Sequence, residues 1–123
     1  MRMISVAPTF VVANVDATAD WYVKELGFTY VPFPHTPPYV FAILHRDSVE
    51  IMLMRIEGYQ KPDLTPLRPA GLWDAYIRMV DVVDFYQSFR DKPFLWRPLK
   101  TQPYGDTEFE VRDPNGYILV FSG

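Results

Sequence analysis

The chain has 123 residues, 49% apolar and 22% charged, with a net charge of −3. That is the length of one domain and the composition of an ordinary globular protein, which excludes a disordered segment. Its Lys and Arg residues are scattered rather than striped, so nucleic acid is not an expected partner. No apolar run nears the roughly 20 residues of a membrane helix, and no membrane partner is expected. The absence of cysteine excludes disulfides, thiolate metal sites and a Cys nucleophile. "MRMISVAPTF" lacks the pattern of a signal peptide, and the expected compartment is the cytoplasm.

In chain order, residues 3–13 form a β-type run centred on Val11 and Val12. Asp16 is placed to cap a helix whose inward face carries Val15, Ala19, Tyr22, Val23 and Leu26, and Gly27 supplies a left-handed C-cap. Residues 28–33 are extended, and "YVFAIL" and "VEIMLM" read as two strands joined by a turn at Arg46-Asp47-Ser48. A Pro-rich connection without periodicity, 56–70, follows.

The plan then recurs. "GLWDAYIRM" is a strand, Asp81 caps a helix with Val82, Phe85, Tyr86 and Phe89 inward, and Pro93 ends it. "FLWRPL", "TEFEVR" and "YILVF" are three further strands, the last two joined by the tight turn Asp113-Pro114-Asn115-Gly116. The expected architecture is α+β. It is a single domain of two tandem βαβββ modules, about 1–55 and 71–123, with 56–70 as linker.

Two stretches carry a family resemblance: "FVVANVDATADWYVKELGF" opening the first module and "EFEVRDPNGYILVF" closing the second. The chain resembles the vicinal oxygen chelate superfamily of glyoxalases, bleomycin-resistance proteins and extradiol dioxygenases. Within it, "VAPTFVVANV", "WYVKELGF" and "QPYGDTEFEVRDPNG" are closest to the bleomycin-resistance-type binding proteins. The resemblance implies a curved mixed sheet with a cleft. It also implies a homodimer in which the N-terminal strand crosses to the partner, and Pro8 suits such an arm because it stiffens it and withholds a ladder N–H.

The enzymes of the superfamily hold a divalent metal on four positions, which correspond here to Ala7, Glu50, Asp74 and Val120. Ala and Val ligate nothing, and two carboxylates without imidazole make a poor zinc or iron site. His35, among prolines, and His45, before a turn, match no ligand position and read as surface residues. Glu108 and Glu110 alternate on one face of a strand, expected to be the solvent face. The chain has no nucleophile motif or phosphate loop, so no catalytic residue, metal or cofactor is assigned.

What remains is a cleft for a small molecule. Matching positions in the resistance proteins point to Phe41 and Tyr104 as stacking residues, Tyr104 standing where those proteins carry Trp in "QPWG". The chain's twenty aromatics (three Trp, eight Tyr and nine Phe) exceed what a core this size requires. On that ground Trp73 and Trp96 are read as further cleft walls, with the core as the equal alternative. The expected function is non-enzymatic binding and sequestration of an antibiotic-like, flat aromatic molecule, cationic ones included. The alternative is a metal-dependent glyoxalase-type lyase, isomerase or dioxygenase with an unusual metal site.

Overall fold

The computed structural model describes residues 1–123, and the chain divides into two compact units, Met1–Lys61 and Pro62–Gly123. The first contains β1 (Thr9–Val12), α1 (Val15–Leu26), β2 (Thr29–Phe33), β3 (Phe41–Arg46) and β4 (Val49–Arg55). Its sheet runs β1-β4-β3-β2, with β1 parallel to β4 and the other pairs antiparallel. The second contains a short 3₁₀ turn (Thr65–Leu67), β5 (Ala75–Arg78), α2 (Val82–Gln87), β6 (Leu95–Thr101), β7 (Thr107–Arg112) and β8 (Ile118–Ser122). Its order, β5-β8-β7-β6 with β5 parallel to β8, repeats the first. The fold is α+β with two tandem modules.

Helix α1 forms because Val15, Ala19, Tyr22 and Leu26 recur at helical spacing, and all four are buried against the sheet's Phe10, Leu44, Ile51 and Leu53. Each large apolar side chain so buried contributes roughly 1.5–3 kcal/mol. Val23 does not join them: it is 42% exposed, on the flank of the stripe. The N-cap is Asn14, whose Oδ1 accepts from Ala17 N at 3.0 Å. Asp16 is engaged elsewhere, accepting from Tyr39 N at 2.8 Å across the β2–β3 connection. At the other end Gly27 takes φ 71°, and the Arg46 guanidinium donates to Leu26 O at 2.6 Å. A Cβ at Gly27 would meet that guanidinium at 3.0 Å.

In the second unit the core is a ring cluster. Phe109 lies 5.4 Å from Phe121 and 5.7 Å from Phe89, both stacked, and Phe85 sits 4.7 Å from Phe89, edge to face. Part of the aromatic surplus is therefore core. Helix α2 is only six residues long and stops at Ser88, well before Pro93. Asp81 occupies its N-cap in the left-handed region (φ 62°) but makes no side-chain cap bond.

Strand limits are narrower than the sequence suggests. In the run 3–13 only Thr9–Val12 is strand, and Met1, Met3, Ile4 and Val6 are exposed. "GLWDAYIRM" contributes Ala75–Arg78 alone. Strand β6 pairs with β7 through two register shifts, at Leu95/Arg97 and Arg97/Lys100. Pro98, lacking an N–H, lies within the second. The turn at 113–116 is tied by Asp113, whose Oδ1 accepts from Asn115 N (2.8 Å) and Tyr117 N (3.0 Å), while Gly116 takes φ 94°. It delivers β8, every residue of which is buried.

Candidate functional site

Because side chains alternate along a strand, the turning of Phe109 and Val111 into the core puts Glu108 and Glu110 on the face of the sheet away from α2. Tyr76 on β5, and Val120 and Ser122 on β8, share that face by register. The expectation that the two glutamates face solvent is wrong: Glu108 is 3% and Glu110 5% exposed. Tyrosines, not water, cover Glu108. The Tyr76 hydroxyl donates to Glu108 Oε2 at 2.7 Å, and the Tyr104 hydroxyl donates to Oε1 at 2.5 Å. Since a phenol carries one proton, the buried Ser122 Oγ, 3.0 Å away, serves Tyr76 as donor. Asp106 lies 3.1 Å from the same hydroxyl and is paired with Arg78 at 3.2 Å.

The electrostatics follow. The hydrogen bond to Glu108 pushes the Tyr104 phenol above its ordinary value, and burial raises that of Tyr76. Burial also raises the Glu110 carboxyl, with Arg97 opposing and Glu108 adding to the shift. The result is an aromatic and acidic cluster built around Glu108.

The sequence-predicted residues are distributed unevenly. Tyr104, 60% exposed, sits in the β6–β7 turn closed by Gln102 and Asp106. Trp73 (38% exposed) reaches the same cluster through Tyr76, ring centroids 5.7 Å apart, and carries Arg68 over its face at 6.0 Å. Trp96 (39% exposed) is held apart, under Arg112 at 4.7 Å; Arg112 in turn lies 3.8 Å from Asp63. Phe41 belongs to the first unit, half-buried at the start of β3 and paired with Phe33 and Met54. By alternation with the buried Ala42 and Leu44, it lies on the face away from α1.

The residues at the superfamily's metal positions have other partners. Asp74 Oδ2 accepts from Ile118 N at 2.9 Å, Val120 is fully buried, and Glu50 lies 3.3 Å from His45 Nδ1 across the β3–β4 hairpin. His45 is thus half-buried and paired rather than a plain surface residue, whereas His35 is exposed. No three His, Asp or Glu side chains are grouped to hold a metal ion. A separate depression of about 180 Å³ beside Asn14, Asp16, Tyr39 and Arg55 is smaller than the roughly 300 Å³ a drug-sized ligand requires. Sequence reading missed Tyr76, Asp106, Arg97 and Ser122. The usable signal was two glutamates alternating with apolar residues in a strand with neighbours on both sides.

The model of the Glyoxalase/Bleomycin resistance protein/Dioxygenase superfamily matches residues 5–121, and the chain belongs to that superfamily. Similar solved structures include TioX from Micromonospora sp. ML1, at 19% identity over 97% of this chain and 94% of that one, TM-score 0.73. A bleomycin resistance determinant encoded on transposon Tn5 is 20% identical over 98% and 97%, TM-score 0.72. A bleomycin-binding protein from bleomycin-producing Streptomyces verticillus, complexed with copper(II)-bleomycin, is 21% identical over 100% and 98%, TM-score 0.69. At such identities the likeness establishes the fold. No curated protein matches the chain in sequence.

Proposed function

We propose that the chain is a non-enzymatic binding protein that sequesters a flat, antibiotic-like aromatic molecule. The observation that carries this reading is the cluster on the second sheet, where Trp73, Tyr76 and Tyr104 gather around buried Glu108. Rings supply stacking surface and carboxylates favour cationic groups on the ligand. Neighbours of the same fold that bind bleomycin support it. Phe41 and Tyr104 are proposed as the stacking pair, drawn from different subunits of a homodimer, with Trp73 and Trp96 as wall residues. The exposed apolar arm bearing Met1, Met3, Ile4 and Val6, ahead of Pro8, is the segment proposed to cross to the partner. No helix is long and apolar enough to cross a membrane, and the cysteine-free chain is assigned to the cytoplasm.

The test is a titration of Trp fluorescence with a bleomycin-type compound and other flat cations. Stacking adds about 1 kcal/mol per ring beyond burial, so Tyr104→Ala, which also removes buried area, weakens binding about tenfold or more. Tyr104→Phe keeps the ring and isolates the hydroxyl bonded to Glu108. Identical responses from wild type, Phe41→Ala and Tyr104→Ala would refute the site. Light scattering at micromolar concentration tests the assembly: a dimer mass is expected, and a monomer mass contradicts it.

A further inference from the structure

Glu110 stands in the middle of β7 with its side chain only 7% exposed, and its Oε1 is buried without a hydrogen-bond partner. A carboxylate oxygen in that condition is costly, and its retention calls for a physical reason. The cation nearest to it is Arg97, its cross-strand neighbour on β6, whose Nε is 3.9 Å from Oε1, too long for a hydrogen bond. Arg97 is committed elsewhere: its two terminal nitrogens donate to Ala70 O at 3.0 Å and Pro69 O at 2.8 Å.

The other groups on this face do not meet the need either. On β7 itself, Glu108 is engaged by Tyr76 and Tyr104, and Arg112 covers Trp96. On β6, Lys100 is exposed and in register with Glu108. On β8, Val120 stands opposite Glu110, and Ser122 is bonded to Tyr76. On β5 and the β6–β7 turn, Arg78 is paired with Asp106. A buried acceptor is therefore left facing a half-exposed arginine that does not satisfy it.

We propose that Glu110 is the receptor for a protonated nitrogen carried by the aromatic ligand, a guanidinium, amidinium or ammonium group. The inference rests on the small-molecule reading above and names the chemistry of the ligand's polar end. An incoming N–H donor supplies the bond that Oε1 lacks, while Arg97 stays tied to Ala70 O and Pro69 O. Glu108, fixed by its two tyrosines, adds a second negative charge. A charge-assisted hydrogen bond is stronger than a neutral one. Burial raises the Glu110 carboxyl, so binding a cation to its ionised form releases a proton from whatever fraction is protonated. Affinity for the cation accordingly rises with pH through the Glu110 titration and then levels.

The experiment compares 2-naphthylmethylguanidinium with its neutral isostere 2-naphthylmethylurea by calorimetry, on wild type and Glu110→Gln. Wild type is expected to prefer the guanidinium about tenfold or more, with proton release detected on the acid side of the titration by comparing buffers of different ionisation enthalpy. Glu110→Gln is expected to lose that preference and the proton release. Equal affinity of wild type for the two compounds, or a preference that survives in Glu110→Gln, overturns the Glu110 assignment and leaves the ring-binding reading standing. Binding of neither compound to either protein overturns both.

Discussion

Replacing Tyr76 with Phe isolates one hydroxyl in the buried network. The ring, with its contact to Trp73 at 5.7 Å, is retained, so little apolar burial is lost. What goes is the donor 2.7 Å from Glu108 Oε2 and the acceptor 3.0 Å from Ser122 Oγ. Glu108 is 3% exposed and Ser122 fully buried, so water does not readily replace either bond. A hydrogen bond to a charged group contributes about 1.5–3 kcal/mol and a neutral one about 0.5–1.5, which sets the expected loss at roughly 2–4.5 kcal/mol. Tyr104→Phe removes the other donor to Glu108, but Tyr104 is 60% exposed and water reaches its place. Its cost is expected to be about 1 kcal/mol or less. Urea denaturation followed by Trp fluorescence measures both. A Tyr76→Phe loss below about 0.5 kcal/mol, or one equal to that of Tyr104→Phe, would refute the view that this hydroxyl holds a buried carboxylate.

Alkaline titration followed by tyrosinate absorbance should show Tyr30, Tyr76 and Tyr104 ionising above the ordinary tyrosine range. Tyr30 is pushed up to about 12 by burial and its bond to Tyr39, Tyr76 is raised by burial, and Tyr104 is raised by Glu108. Because these phenols are raised in the fold, the stability tied to them is intact below the ordinary value of about 10 and is lost as pH climbs through the folded-state values. Tyr104→Phe should remove one late-ionising group, and simultaneous ionisation of all eight tyrosines would contradict the network. Asn14→Ala should cost about 1 kcal/mol through the lost cap, read as a shift in urea midpoint. Asp16→Ala, by contrast, should act on the β2–β3 connection that it holds through Tyr39.

Features set by neighbours in the chain were legible in the sequence. The helical spacing of Val15, Ala19, Tyr22 and Leu26, the left-handed cap at Gly27 and the turn at Asp113–Gly116 each depend on a few consecutive residues, and their recurrence in two halves exposed the tandem plan. The sequence reading places the cap of α1 at Asp16, and that Asn14 takes it instead was not legible. Asn14 and Asp16 are both suitable, and the choice falls to a backbone N–H at Tyr39, 23 residues beyond Asp16.

The same limit governs the site. Alternation alone puts Glu108 and Glu110 on one face of β7, but it does not reveal whether water or protein lies over that face. Tyr76, 32 residues away in the chain, and Tyr104, held back over the sheet by its turn, supply the cover. Likewise, the register shift between Leu95 and Arg97 sets Arg97 opposite Glu110, which strand alternation alone does not reveal. A strand's period is a property of its own backbone. What each face buries is fixed only when distant segments pack against it, and that packing makes an ordinary pair of glutamates into buried carboxylates with unequal partners.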